Sequence, residues 1–410
     1  MPSSYPIHCL NNGIRVVFQP TSSEVCHCGI VIGAGSRDEL DDEYGIAHFI
    51  EHTIFKGTTK RTALQILNRL DEVGGELNAY TTKDETAVHA AFLSKDFERA
   101  AELMADMVFN PTFPEKELAK ERDVISDEIS SYRDTPSELI FDDFEERIFK
   151  MPALSHPILG NIESIRSFDG DKAKKFMQRT YRPDRMVLSI RGNISDSRII
   201  KVAEKYFGHH MMNVSQYIPT TYENHKSERF EIRENKGYCQ AHILLGNIAP
   251  SAYEAQRVPL YMLSYILGGP SMNASLSIAL RERNGIGYNV STEYTSFADT
   301  GLQTIYFGTD ATNIEKSLCV IKKELLRLCN NKMNEKQLFR IKRQIAGQIL
   351  MSEADSESLM LSAARSVIFY GEADNLSRTV KQIEDVSSDE LLDIAQIVFN
   401  PSDMSLMIYW

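Results

Sequence analysis

The chain has no apolar run long enough to cross a bilayer, which argues against a membrane-spanning helix. Its start, Met1-Pro2-Ser3-Ser4-Tyr5-Pro6-Ile7-His8-Cys9, lacks both the basic residues and the apolar stretch of a signal peptide. A cytoplasmic protein is therefore expected. Positive charge is also scarce. The 45 Lys and Arg stand against 57 Asp and Glu, a net charge of −12 with no basic tract to offset it, so neither a nucleic-acid partner nor a membrane surface is expected. Six cysteines (9, 26, 28, 239, 319, 329) in 410 residues do not make a disulfide framework. Cys26-His27-Cys28 looks metal-like, but it lies in the apolar run Glu24–Ile32, which reads as a strand. Alternation points His27 away from both thiols, so a structural role is expected there.

What is present is a globular composition, 42% hydrophobic and 25% charged, on a length that suits two domains. Asn12-Gly13 predicts a hairpin turn between Ile7–Leu10 and Ile14–Phe18, and residues 24–33 a further strand. Helices are expected over about 42–55 and over Ala63–Leu70, the second stopped by Gly74-Gly75. Residues 76–82 and 85–93 alternate as two antiparallel strands joined near Lys83-Asp84. Helices follow at about 95–109 and 115–131, restarting after Pro136 to about Phe149; then come a strand at 186–190 and a helix at 195–207. Residues 209–228 lose periodicity and read as a linker, in which His209-His210 are expected to be merely solvated.

After the linker the order repeats as strands, two helices, two strands, two long helices and a final strand. Tyr44–Gly57 can be laid on Gln256–Gly269, and Ile125-Ser126-Asp127-Glu128 on Ile345-Ala346-Gly347-Gln348. This predicts an α+β fold of two homologous domains, each a mixed, mostly antiparallel sheet packed with helices, related by internal duplication. The expected division is residues 1–210, a linker at 211–228, and 229–410.

The chemistry concentrates in His48-Phe49-Ile50-Glu51-His52. At about 100° per residue, His48, Glu51 and His52 share one helix face. Two imidazoles one turn apart can clamp a single Zn²⁺ with the carboxylate beside it, in the inverted order of the commoner zinc-protease motif. The duplication serves as a control, for in the second half these positions are Leu260, Leu263 and Ser264, and Glu128 becomes Gln348. Their role is therefore specific to the first half. A catalytic zinc needs a third protein ligand. Glu121 and Glu128, two turns apart on a helix face with Val124 and Ile125 that should look inward, are both candidates, and spacing does not choose between them.

The constellation resembles the pitrilysin family of inverted-motif zinc peptidases, which includes insulin-degrading enzyme and mitochondrial processing peptidase. That family shows His-x-x-Glu-His, then a liganding Glu about 76 residues on, with another acidic residue seven before it; here these are Glu128 and Glu121. Asn12-Gly13, Phe55-Lys56-Gly57-Thr58, Leu77-Asn78-Ala79-Tyr80-Thr81 and Tyr181-Arg182-Pro183 also match its short, two-domain bacterial-type members. The resemblance implies His48, His52 and Glu128 as ligands of one Zn²⁺, Glu51 as general base, and Glu121 as the residue that orients a ligand. The second domain is then homologous but without metal.

Read alone, Asn78 is an edge-strand residue, and Arg281 and Tyr288 are a surface Arg and a strand Tyr flanking Asn284-Gly285-Ile286-Gly287. The resemblance implies that Asn78 and Ala79 lie against an extended peptide, and that Arg281 and Tyr288 hold its carbonyl. It further implies a homodimer, with Arg281 and Tyr288 acting in trans, that encloses short unfolded peptides in a clamshell chamber. The alternative is a non-catalytic or processing-complex subunit of the same family. Gly268-Gly269-Pro270-Ser271-Met272-Asn273 departs from the usual triple glycine followed by a Ser-Arg pair, which implies a stiffer loop.

Overall fold

The structure, a computed structural model, describes residues 4–210 and 228–410, so the expected linker falls almost wholly outside the described residues. The first half of the chain forms β1 (Ser4–Tyr5), β2 (Ile7–Cys9), β3 (Arg15–Pro20), β4 (Val25–Ile32), α1 (Ile46–Thr53), α2 (Ala63–Asp71), β5 (Glu76–Thr81) and β6 (Thr86–Leu93). It continues with α3 (Phe97–Phe109), α4 (Glu115–Arg133), α5 (Pro136–Ile148), α6 (Pro152–Ser155), α7 (Ile162–Ser167), α8 (Gly170–Thr180), β7 (Met186–Gly192) and α9 (Asp196–Tyr206). The second half forms β8 (Glu231–Glu234), β9 (Ala241–Ala249), α10 (Arg257–Gly268), α11 (Ser275–Ser277), β10 (Tyr288–Ser296), β11 (Gly301–Thr309), α12 (Ile314–Asn330) and α13 (Glu335–Met351). It ends with α14 (Ser356–Tyr370), β12 (Ala373–Asp374), α15 (Leu376–Asp385), α16 (Ser388–Val398) and β13 (Ser405–Tyr409).

The duplication is visible strand by strand. One sheet runs β2-β3-β7-β4-β6-β5 and the other β8-β13-β9-β11-β10. In the first, β3 is parallel to β7 and the β7–β4, β4–β6 and β6–β5 pairs are antiparallel. In the second, β8 is parallel to β13 and β13–β9, β9–β11 and β11–β10 are antiparallel. The expected mixed, mostly antiparallel sheets are thus present twice.

The compact units do not coincide with the two halves of the chain. The first comprises the described residues within Met1–Ser130, Pro152–Thr220 and Ser352–Arg378; the second takes Ser131–Met151, Thr379–Trp410 and those within Thr221–Met351. Helix α5 therefore packs on β9 and β13 of the second unit, and its counterpart α14 on β4 and β7 of the first. Each rides over a glycine. A Cβ on Gly246 would meet the Phe144 ring at 2.7 Å, and one on Gly29 would meet the Met360 thioether at 3.1 Å. Those two glycines sit opposite Ser405 and Ser189, equivalent places in the two sheets.

Other departures are local. Residues 150–180 hold three further helices, α6, α7 and α8, and five helices rather than two separate β11 from β13. Val124 is exposed, because the buried stripe of α4 runs Leu118, Glu121, Ile125, Ile129 and leaves it to one side. His210 stacks on Phe109 with centroids 3.9 Å apart instead of standing in solvent. Cys26 and Cys28 are buried in the core and His27 faces the other way, towards Glu357 at 3.8 Å. All six cysteines are free.

Candidate metal centre

Helix α1 begins at Gly45, whose φ of +95° favours glycine. A Cβ there would also lie 2.7 Å from the Leu159 carbonyl oxygen. Gly45 offers no capping side chain, and Glu39 takes over that task from six residues upstream. Its carboxylate accepts from Gly45 N and Ala47 N, both at 2.8 Å, where a negative charge also suits the helix dipole. His156 contacts the same carboxylate through Nε2 at 2.9 Å, and Tyr44 stacks on the His156 ring at 4.1 Å. Burial pushes the Glu39 pKa up, against the pull of His156 and the two N–H groups. Ile46, Ala47, Phe49 and Ile50 fill the core beneath, which turns His48, Glu51 and His52 to the remaining face.

On that face the His48 and His52 rings lie 4.6 Å apart, edge to face. Glu128 Oε2, from α4, is 3.5 Å from His52 Nε2 and 3.9 Å from His48 Nε2. One ligand atom from each of the three residues falls within 4.8 Å of the others. The two glutamates of α4 are placed differently. Glu121 is buried and reaches the far nitrogen of His52, Oε2 to Nδ1 at 3.2 Å, while Lys56 Nζ meets its other oxygen at 2.8 Å.

The charge states suit a cation. Burial, with His52 nearby, pushes the His48 pKa down to about 3, so its imidazole is neutral at pH 7 and has a lone pair to give. Its Nδ1 is buried with no hydrogen-bond partner among the described residues. Burial works to lower the His52 pKa, but Glu121 and the neighbouring carboxylates outweigh it and the net shift is upward. Burial would raise Glu121, yet His52 and Lys56 bring it below the usual carboxylate range. Burial also lifts the Glu51 pKa, with Glu128 adding to the rise. Two imidazole nitrogens and a carboxylate oxygen around one point, with no fourth protein donor in the group, match the donor set of a catalytic zinc.

Sequence reasoning missed four contributors. Lys56 lies one turn beyond His52, so its spacing could have revealed the cation that Glu121 needed. The Thr81 hydroxyl opposes the rise of the Glu51 pKa and has no hydrogen-bond partner of good geometry among the described residues. Glu39 and His156 are 117 positions apart, and no local pattern announces them.

Asn78 and Ala79 lie on β5, the outermost strand of its sheet, and α1 packs against that strand. Arg281 and Tyr288 belong to the second unit. Arg281 pairs with its neighbour Glu282 at 2.8 Å, and Tyr288, half exposed, opens the edge strand β10.

Residues 15–162 match the family described as Insulinase (Peptidase family M16), and residues 167–345 match the Peptidase M16 inactive domain. An uncharacterized zinc protease of Bacillus subtilis, YmxG, is 33% identical over 390 residues, covering 95% of this chain and 94% of that protein. The mitochondrial-processing peptidase subunit beta of Bos taurus is 28% identical over 95% of this chain and 80% of its own length. Among solved structures, a protease from Helicobacter pylori superposes with a TM-score of 0.91 at 20% identity, over 99% of both chains. A peptidase M16 inactive domain from Pseudomonas fluorescens gives 0.90 at 18% identity, over 99% of this chain and 97% of that one. The fold and the site define a two-domain metallopeptidase-like architecture. The chain belongs to peptidase family M16.

Proposed function

We propose that the protein is a zinc metalloendopeptidase whose single zinc is held by His48, His52 and Glu128. The convergence of those three ligand atoms, with Glu51 beside them and Glu121 on the far side of His52, carries this reading. A zinc there supplies Lewis acidity, lowering the pKa of water and polarising the scissile carbonyl. Glu51 takes a proton from the attacking water and hands it to the leaving amine. Glu121, itself held by Lys56, keeps the His52 ring turned to the metal. The peptide adds as an extended strand to β5, against Asn78 and Ala79. Glu51→Gln should keep zinc by elemental analysis and lower hydrolysis of an unstructured peptide by about 10²–10⁴-fold. Substantial residual turnover rules out the assigned role.

The resemblance supports a further step, in which two chains associate and Arg281 and Tyr288 of one steady the substrate carbonyl at the zinc of the other. Such an enclosure admits short unfolded peptides. Mixing Arg281→Ala chains with Glu51→Gln chains tests it. Recovery of part of the activity supports action in trans, and none argues against it. Were the loaded protein to hydrolyse no peptide by itself, the processing-subunit reading would stand in its place.

A further inference from the structure

Strand β5, the proposed peptide acceptor, is gripped from its other face by a helix from the far end of the chain. Alternation turns Leu77 and Ala79 to the α1 side, where they pack on the main core, and Tyr80 to the opposite side, in the small cluster under α14. There Tyr80 Oη donates to Glu85 Oε1 at 2.7 Å. Arg365 of α14 donates to the same carboxylate, from Nε at 3.1 and 3.2 Å and from Nη2 at 2.5 Å. Glu85, only 2% exposed, also closes the turn between β5 and β6. Thr82 N donates to its carbonyl at 2.8 Å, and its own N donates to Thr82 Oγ1 at 3.1 Å. A carboxylate so buried is costly unless it is paired, so the conformation of this turn depends on Arg365.

Docking of α14 does not explain Arg365. Ala363, Ala364 and Val367 already pack on Val17, Val31, Ala87 and Val187. The carbonyls of Leu359, Met360 and Val367 accept from Gln19, Ser189 and Arg15. The second unit makes the same four-residue turn, Phe297 N to Thr300 O at 2.8 Å, from other residues. Its positions matching Tyr80 and Glu85 are Thr295 and Thr300, and the residue related to Arg365 as Glu128 is to Gln348 is Glu145. The phenol–carboxylate–guanidinium set belongs to the strand that borders the metal centre.

We propose that Arg365 is a positioning residue that sets cleavage register, fixing β5 through Glu85 and Tyr80 so that one bond of an added peptide comes to Glu51. This rests on the peptidase reading above. A peptide paired to an edge strand takes its register from that strand's N–H and C=O groups, in steps of about 3.3 Å per residue. A small shift of β5 therefore changes which bond is presented.

The test compares the unsubstituted zinc-loaded protein with Arg365→Ala and Tyr80→Phe on one unstructured peptide that has several scissile bonds. Products are read by mass spectrometry, together with kcat, KM and zinc content. Arg365→Ala should keep its zinc, raise KM by about tenfold and redistribute cleavage to bonds next to the preferred one. Tyr80→Phe, which leaves the Glu85–Arg365 pair intact, should shift the products in the same direction by less. If Arg365→Ala does not fold, Tyr80→Phe decides the matter. A lower rate or lower Tm with unchanged product ratios overturns the inference alone. No hydrolysis by the unsubstituted protein overturns the peptidase reading and this inference with it.

Discussion

The two units have sheets of the same strand order and a helix in the same place, yet among the described residues the His-His-Glu group lies in the first. Where α1 has His48, Glu51 and His52, α10 has Leu260, Leu263 and Ser264, and both leucines are fully buried in the second core. Where α4 has Glu121 and Glu128, α13 has Ile341 and Gln348. In place of a ligand cluster, the second unit has a neutral network. Gln344 Nε2 donates to Ser271 Oγ at 2.9 Å and Asn273 Oδ1 at 3.1 Å, and Gln348 Nε2 to Ser271 Oγ at 3.3 Å. That network ties the Gly268-Gly269-Pro270-Ser271 loop to α13. The fold evidently has no need of the polar residues. In the first unit they bring crowded carboxylates and an imidazole nitrogen, His48 Nδ1, that is buried with no hydrogen-bond partner among the described residues.

Copying the second unit onto the first breaks this comparison most severely. The variant His48→Leu, Glu51→Leu, His52→Ser, Glu128→Gln should bind no zinc and hydrolyse no peptide. It should also be more stable than the chelator-treated parent, by about 1–3 kcal/mol in denaturant unfolding, since an unsatisfied buried group is gone. A less stable variant would show that the first unit's core is built around its polar residues after all.

Glu121→Gln probes a subtler difference, because the second unit has Ile341 there. Zinc affinity measured against a competing chelator should weaken about 10–100-fold. The sign of its pH dependence follows from His52. Its pKa is raised, chiefly by Glu121 working against burial, so protons compete with metal at higher pH than at an ordinary imidazole. Affinity should therefore fall as pH drops, and less of that competition should remain in Glu121→Gln. The smallest effect belongs to Thr81, whose hydroxyl lies near Glu51. Thr81→Val should lower kcat by about threefold to tenfold with zinc content unchanged. An unaltered kcat would remove Thr81 from the site.

Much of this was legible in the sequence because it is local. The i, i+3, i+4 spacing places His48, Glu51 and His52 on one face wherever the helix packs, and Asn12-Gly13 favours its turn, closed by Leu10 N to Ile14 O at 2.8 Å, through backbone preference. The repeat showed which of those residues the fold could spare. Val124 is exposed against expectation because a shared helix face is about a third of the circumference, and only packing decides which edge of it is covered.

The sequence by itself therefore determined the motif, the duplication and the candidate ligands, all of which are matters of spacing along one chain. Spacing left open which glutamate faces the two imidazoles and which stands behind His52; the resemblance implied an answer, and tertiary structure places the two side chains accordingly. It also decided that Glu39 and His156 cap the motif helix and that α5 and α14 change places. The amphipathic faces of those two helices require burial, but the two sheets offer them equivalent strands with a glycine at the same place. Periodicity can say that a face is buried. The partner is chosen by shape and charge across long separations, which no local pattern records.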